Sequence, residues 1–200
     1  MKTLIITGGT GGLGTVVVAR LAREYNCVLL RRPETDLANE VSVREAIARA
    51  GEIYGLVHMA GGYAGGKVSE TSTDAWRHMI DLNLTGAFIA IRETLARMKR
   101  DAPGRIVAIS SEAALTKFAG AAAYTISKTA LNSLIEMTAA EVAGTPITVN
   151  ALLPATLDTP ASREEMPDAK RVPLDRVADT IAFLLSDAGA SVNGALIHLR

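Results

Sequence analysis

Residues 2–24 read KTLIITGGTGGLGTVVVARLARE, which is an apolar run, a glycine-rich turn and a helical pattern in that order. The apolar run predicts a strand, and the apolar residues from Val16 to Ala22 recur at the spacing of one buried helix face. Glycines at positions 8, 9, 11, 12 and 14 let the backbone approach a pyrophosphate, whose charge the N–H groups and dipole of a helix start favour. The stretch therefore predicts a dinucleotide site, although the same residues can form a tight turn without a ligand.

A second stretch supplies three groups that can act on one carbonyl. Residues 121–128 read AAAYTISK, and Ser111 lies thirteen positions before Tyr124. Tyr124 and Lys128 are four residues apart, so on a helix their side chains lie on the same face. The lysine charge favours the phenolate, and lowering a phenol pKa from about 10 to neutrality needs about 4 kcal/mol of differential stabilisation. The set predicts an acid catalyst; the alternative is a helix with an exposed lysine.

Strand and helix patterns alternate along the whole chain. They predict strands at about 3–7, 26–30, 54–59, 105–110, 147–152 and 194–199, and helices at about 12–24, 41–50, 73–99, 121–143 and 175–186. Ser42 and Glu45 form a candidate capping box for the second helix. The alternation predicts an α/β fold with a doubly wound parallel sheet of about six strands and helices on both faces. No repeat or linker interrupts it, so residues 1–200 are expected to form one domain.

Composition and charge narrow the class of function. The 200 residues are 48% apolar and carry 21 basic and 21 acidic side chains. A net charge of zero gives no electrostatic basis for binding nucleic acid or an anionic membrane. Met1 and Lys2 run directly into the first strand without the features of a signal peptide, so a cytoplasmic location is expected.

Thiol and metal chemistry have little support in the sequence. Cys27, the only cysteine, lies in the apolar run NCVLL and is expected in the core of the second strand rather than as a reactive thiol. His58, His78 and His198 are scattered, without a carboxylate or cysteine at ligand spacing. No metal site is therefore predicted.

The glycine turn and the Ser, Tyr and Lys set together resemble the short-chain dehydrogenase/reductase family. TGGTGGLG at 7–14 fits the family pattern TGxxxGxG, and Ser111, Tyr124 and Lys128 fall on its catalytic positions. NALLPATLDT at 150–159 matches the family segment that contacts the nicotinamide end. The resemblance runs nearly end to end and implies a Rossmann-type fold that binds NAD(H) or NADP(H).

The resemblance also implies a role for each site residue. Tyr124 would protonate the product, Ser111 would hold the substrate oxygen, and Lys128 would lower the tyrosine pKa and bind the nicotinamide ribose. Asn83, in DLNLTGAF, matches the fourth catalytic residue and would position water in a proton relay. The cofactor-binding residues that it implies are Thr7, Gly8, Gly12, Leu13, Gly14, Asp36, Leu37, Ala60, Gly61, Tyr124, Lys128, Pro154, Thr156 and Thr159.

The residues after the second strand bear on the choice of cofactor. An acidic side chain there would bind the ribose hydroxyls of NAD, but this chain has Arg31 and Arg32. Guanidinium groups pair bidentately with phosphate, so NADP(H) is expected to be preferred over NAD(H). The alternative is a solvated basic pair at a strand end. Asp36 resembles the family aspartate that meets the adenine amino group, or it serves as a helix-entry residue.

Two segments resemble one subgroup, the quinonoid dihydropteridine reductases. AGGYAGG at 60–66 and LPATLDTP at 153–160 resemble AGGWAGG and LPVTLDTP there, and Tyr63 would either stack on a planar substrate ring or pack on the surface. Ser111 is a departure, because that subgroup lacks this serine, and it favours ordinary carbonyl reduction. The family pattern NAG is also replaced, by residues 58–61 reading HMAG.

The chain is short for this family. The missing length is expected between Arg32 and Asp36, which predicts a trimmed sheet edge, and after Pro160. A short, charged lid at 161–170 would then leave an open and fairly polar substrate cleft.

The helices predicted at 73–99 and 121–143 carry apolar residues over more than one face. These residues are Phe88, Ile89, Ile91, Ala130, Leu134, Ile135 and Met137. One face covers the sheet and another needs a partner, and in the family that the chain resembles these helices pair across a two-fold axis. A homodimer or homotetramer is expected; the alternative is a wide core stripe in a monomer.

The function that these features predict is hydride transfer between a nicotinamide and a small carbonyl or alcohol substrate, with Tyr124 as acid and base. One alternative is a dihydropteridine reductase-like activity. Another is a non-catalytic NADP(H) sensor or scaffold, which the fold alone does not exclude.

Overall fold

The computed structural model describes residues 1–200 and contains one six-stranded parallel sheet with the strand order β2-β1-β3-β4-β5-β6. The strands are β1 (Lys2–Thr7), β2 (Tyr25–Leu30), β3 (Gly55–His58), β4 (Gly104–Ile109), β5 (Ile147–Pro154) and β6 (Leu196–Leu199). The helices are α1 (Gly12–Leu21), α2 (Glu40–Arg49), α3 (Thr73–Ile80), α4 (Gly86–Leu95), α5 (Ala113–Thr116), α6 (Ala122–Glu141), α7 (Pro160–Glu165) and α8 (Leu174–Leu185). The predicted doubly wound α/β fold is confirmed. None of the helices has the length and apolar surface that a bilayer-spanning segment requires.

Alternating side chains of the strands form two separate cores. Ile5, Leu56 and Ile106 pack with α2, α4 and α6 on one face of the sheet. Leu4 and Val57 pack with α1 and α8 on the other face. Every residue of β3, β4 and β5 is buried, because parallel strands in the middle of such a sheet are covered on both faces. Burial on both faces of the sheet explains why these strands are continuous apolar runs in the sequence.

The predicted trimmed edge is present. β2 is the outer strand, and residues 31–39 lead from it to α2 without a further helix or strand. Cys27 of this strand, which was expected in the core, is only half-buried at its margin. Burial still raises the pKa of its thiol, which makes the thiolate scarce.

Three features of the helices differ from the prediction. The short helices α5 and α7 were not predicted. The long helix expected at 73–99 is α3 and α4 joined by a π-helical turn, Asp81–Thr85, and α4 ends at Leu95. The predicted capping box of Ser42 and Glu45 was wrong. The N-cap of α2 is Asn39, whose Oδ1 accepts a hydrogen bond from the Ser42 N–H at 3.0 Å. Asn39 satisfies a free N–H of the first turn, so Ser42 lies inside the helix.

Candidate active site

The strand order reverses at the carboxyl ends of β1 and β3, because β1 lies between β2 and β3. Open α/β sheets bind ligands in the crevice at such a point. The two strands end in register at Thr7 and His58, and His58 pairs in turn with Ala108 near the end of β4. The segments that follow these three strands therefore meet at one edge of the sheet.

The glycine turn after β1 packs tightly against the loop after β3. Gly8 has a φ of +70°, and a Cβ there would lie 2.6 Å from the Ala60 nitrogen. A Cβ on Gly14 would collide with the Gly8 carbonyl oxygen, so both positions exclude a side chain. α1 begins at Gly12 without a side-chain cap or an acidic residue in its first turn, while Leu13 packs into the core. The first N–H groups of α1 lack intrahelical acceptors and suit a pyrophosphate.

The opposite wall of this cleft comes from the segment after β5. Thr159 Cγ2 lies 3.4 Å from the position that a Cβ on Gly12 would take. Thr159 is also the N-cap of α7 and forms a capping box with Ser162. The cap fixes Thr159 across from the glycine turn, and Pro154 and Thr156 lead to it from the end of β5.

The basic pair after β2 lies on the surface. The Arg31 and Arg32 guanidinium groups are 3.7 and 3.5 Å from the carboxylates of Glu34 and Asp36. All four side chains are more than half exposed, so these ion pairs are weak and can exchange for another anion. Asp36 Oδ1 also accepts from the backbone N–H two residues later, which gives it a local role in the turn before α2. Leu37 packs at the start of α4.

Asn83 lies in the π-helical turn and is fully buried. Its Nδ2 donates to the Gly62 carbonyl and its Oδ1 accepts from the Gly62 N–H, both at 3.0 Å. A Cβ on Gly61 would lie 2.7 Å from Asn83 Oδ1 and 3.2 Å from Lys128 Nζ. The side chains of Asn83 and Lys128 therefore both border Gly61. A π-helical turn inside a longer helix is frequently found at a functional site.

Lys128 is buried on α6 and forms no salt bridge. Its Nζ donates to the carbonyl of Ile109, the last residue of β4, at 2.9 Å. Its own carbonyl accepts from Ser110 Oγ at 3.3 Å. Burial lowers the pKa of the ammonium to about 8, because a low-dielectric environment disfavours the charged form.

Tyr124 lies one helical turn before Lys128. Burial raises the pKa of Tyr124, a hydrogen-bonding interaction with Ser111 opposes the rise, and Tyr63 adds to it. The Lys128 ammonium is directed at the Ile109 carbonyl, so burial rather than its charge sets the direction of this shift, and the predicted action of Lys128 on the phenol remains a prediction. The Ser111 hydroxyl is fixed at the end of β4 by accepting from the N–H two residues later, at 3.2 Å.

The glycine-rich loop 60–66 brings a second tyrosine to the site. The rings of Tyr63 and Tyr124 meet edge-to-face, with centroids 5.0 Å apart and planes at 75°. Gly66 forms a bridge with Ala121, immediately before α6. Tyr63 remains 59% exposed, so part of its ring is free to contact a ligand.

His58 ends β3 at this edge of the sheet, and the sequence did not indicate a place for it at the candidate site. It is fully buried, and its Nδ1 lies 2.9 Å from Thr7 Oγ1. Burial first, and then the charge of Lys128, lower the pKa of His58 to about 3. The sequence signal for His58 was a polar residue at the end of an apolar strand, where HMAG at 58–61 departs from the family pattern NAG.

The apolar residues expected on a partner face divide between core and surface. Ile89, Ile91 and Ile135 belong to the core, and Ala130 and Leu134 are half-buried. Phe88 and Met137 are 44% and 65% exposed. The exposed part of the predicted face is therefore smaller than the sequence suggested.

The fold, the glycine turn and the polar residues at the strand ends define a Rossmann-type nucleotide-binding oxidoreductase. A sequence profile described as short chain dehydrogenase matches residues 34–170. The uncharacterised oxidoreductase YxjF of Bacillus subtilis is 31% identical, over 92% of this chain and 83% of that protein. This chain therefore belongs to the short-chain dehydrogenase/reductase family, whose members bind NAD(P).

Solved structures of similar proteins have the same fold. A short-chain dehydrogenase/reductase from Mycobacterium ulcerans has a TM-score of 0.92 and 27% identity, with 98% of this chain and 87% of that chain covered. A blue fluorescent protein from a metagenomic library, solved in complex with NADPH, has a TM-score of 0.85 and 25% identity over 98% of this chain and 95% of that one.

Proposed function

We propose that this protein is a reductase of small carbonyl compounds that prefers NADP(H) and uses Tyr124 as its acid. The observation that carries the proposal is the placement of Tyr124, Ser111, Lys128 and Asn83 around the ends of β3 and β4. A sensor would not need a partly buried phenol and a buried ammonium one helical turn apart.

The residues present fit a nicotinamide dinucleotide. Gly8 and Gly14 exclude side chains from the turn, and the first N–H groups of α1 would bind the pyrophosphate. Arg31 and Arg32 would pair with a ribose phosphate, which supports the preference for NADP(H). The NADPH bound by the metagenomic relative agrees with this choice. When bound, the cofactor supplies the hydride.

The remaining chemistry belongs to the side chains. Ser111 and Tyr124 would hold the substrate oxygen by hydrogen bonds. As the carbonyl carbon gains the hydride, the C=O π bond breaks and its oxygen takes the Tyr124 proton, so the product is an alcohol. The raised pKa of Tyr124 keeps the phenol protonated at neutral pH. Lys128, held beside Asn83, would stabilise the phenolate that forms and return a proton to it.

Removal of the phenol tests this mechanism. Tyr124→Phe is expected to lower kcat for a panel of small ketones at least about 100-fold. Its NADPH dissociation constant, followed by nicotinamide fluorescence, should stay within about threefold, because the ring is kept. Undiminished turnover in Tyr124→Phe would reject the proposal. Tight NADPH binding by the unmodified protein, without turnover of any carbonyl, would instead support a sensor.

One observation favours a second candidate, reduction of a quinonoid dihydropterin. The ring of Tyr63 stands beside Tyr124 and is partly exposed, so a planar bicyclic substrate could stack on it. Ser111→Ala separates the two activities. A pterin reductase should keep its turnover in this variant, whereas a carbonyl reductase should lose it.

We also propose that residues 1–200 act as one domain and that two copies associate through α4 and α6. The exposed side chains of Phe88 and Met137 support this pairing. Sedimentation of the unmodified protein and of a Phe88→Ser, Met137→Ser double variant tests it, and equal masses for the two proteins would contradict it.

A further inference from the structure

His58 is a buried ionisable side chain that the proposed mechanism does not use. It ends β3 beneath the site, with no exposed surface. Its Nε2 has no hydrogen-bond partner. A buried polar atom without a partner is costly and rare, so this nitrogen calls for an explanation.

The other ring nitrogen, Nδ1, connects His58 through Thr7 to the glycine-rich loop 60–66. Nδ1 lies 2.9 Å from Thr7 Oγ1, and the same hydroxyl accepts from the Ala60 N–H at 3.3 Å. The Thr7 carbonyl accepts from the Met59 N–H at 3.2 Å. His58 therefore positions the Thr7 side chain, which in turn positions Ala60 at the start of the loop 60–66. The next residue of that loop, Gly61, borders Asn83 and Lys128.

The charge of Lys128 decides between the two neutral tautomers. Thr7 can satisfy Nδ1 either as donor or as acceptor. Lys128 approaches this point of the sheet, because its Nζ donates to the carbonyl of Ile109, the residue after the strand partner of His58. Its charge acts on the imidazole, and near a cation a lone pair on Nε2 is favourable whereas an Nε2–H is not. Charges on the neighbouring elements are engaged elsewhere, since Asp81 accepts from Thr85 and Glu112 pairs with Arg200. The expected form is therefore Nδ1–H with a bare Nε2.

We propose that His58 is a positioning residue with two separable tasks. Through Nδ1 and Thr7 it holds the loop after β3, and through the Nε2 lone pair it stabilises the Lys128 ammonium by way of one bridging water. The consequence for turnover rests on the proposed function of Lys128, but both interactions can be measured without turnover.

The tautomer is the first test. In the unmodified protein, long-range ¹H–¹⁵N couplings of the imidazole should show a protonated Nδ1 and a bare Nε2 from pH 6 to pH 9. A protonated Nε2, or an imidazolium at pH 6, would overturn the proposal. Because this measurement needs neither a variant nor a substrate, its result does not depend on the proposed reductase activity.

Two substitutions then separate the tasks, because the amide of Asn reaches the Nδ1 position and the amide of Gln reaches the Nε2 position. His58→Asn should keep NADPH affinity and lower the titration midpoint of the Lys128 side chain by about one pH unit, as followed by NMR. His58→Gln should keep that midpoint near 8 and weaken NADPH binding about fivefold.

His78→Asn, a change of the exposed histidine on α3, is the control and should alter neither readout. If both variants change both readouts together, or if neither changes any, the two-task proposal is wrong. If neither variant folds, the tautomer of the unmodified protein decides.

Discussion

The ring of Tyr63 packs edge-to-face against the ring of Tyr124, with 5.0 Å between their centroids. The loop that carries Tyr63 is fixed on both sides, by the Asn83 side chain on Gly62 and by the bridge from Gly66 to α6. Contacts to the loop backbone, rather than the Tyr63 ring, therefore hold this loop beside Tyr124. The Tyr63 ring can be substituted without moving the rest of the site.

Tyr63→Ala is expected to raise KM for planar aromatic carbonyl substrates about fivefold, because an aromatic contact contributes about 0.5–1.5 kcal/mol. The KM for a small aliphatic ketone should change little. Steady-state kinetics with one substrate of each kind make the measurement, and Tyr63→Phe, which keeps the ring, is the control. An equal rise for both substrates would show that Tyr63 does not select for planarity.

The glycine turn can be tested with two glycines of the same loop. Gly14→Ala places a methyl group against the Gly8 carbonyl oxygen, whereas the nearest atom to a Cβ on Gly11 lies at an ordinary 3.5 Å. Gly14→Ala should lower the free energy of unfolding by about 1–3 kcal/mol and abolish NADPH binding. Gly11→Ala should leave the stability unchanged. Urea unfolding of the two variants distinguishes them, and equal stabilities would refute the packing argument.

Local patterns in the sequence predicted the strand, glycine turn and helix, because each depends on nearby residues and ordinary periodicity. The placement of Asn83 against Gly62 was not predictable, since a π-helical turn has no local signature and the partner comes from another strand end. The direction of the Tyr124 pKa shift was not predictable from the sequence for a similar reason. Spacing places Lys128 on the same helix face, but only the fold shows that its ammonium is directed at Ile109.

The basic pair after β2 gives a prediction about cofactor choice. Arg31→Ala combined with Arg32→Ala should reduce kcat/KM for NADPH by about 10–100-fold, since a charge-assisted hydrogen bond contributes about 1.5–3 kcal/mol. The value for NADH should stay nearly constant because it has no ribose phosphate. Arg100→Ala, which removes an exposed arginine beyond the end of α4, is the charge-matched control. A parallel loss for both cofactors would mean that the pair does not read the phosphate.

The buried ammonium of Lys128 predicts how stability depends on pH. Burial lowers its folded-state pKa to about 8 from the ordinary lysine value of 10.5, so between these two values the unfolded chain binds the extra proton. Stability linked to this group therefore rises with pH across that window. From pH 7 to pH 9.5 the unmodified protein should gain about 2 kcal/mol relative to Lys128→Met, which cannot titrate.

Urea unfolding of both proteins at the two pH values measures this difference, and the effects of all other groups cancel in the comparison. Lys117→Met, a change of an exposed lysine, should follow the unmodified protein across the same range. A constant stability difference between the unmodified protein and Lys128→Met would show that Lys128 titrates alike in the folded and unfolded states. The ammonium would then be solvated, and it could not act as the buried charge that the proposed mechanism places beneath Tyr124.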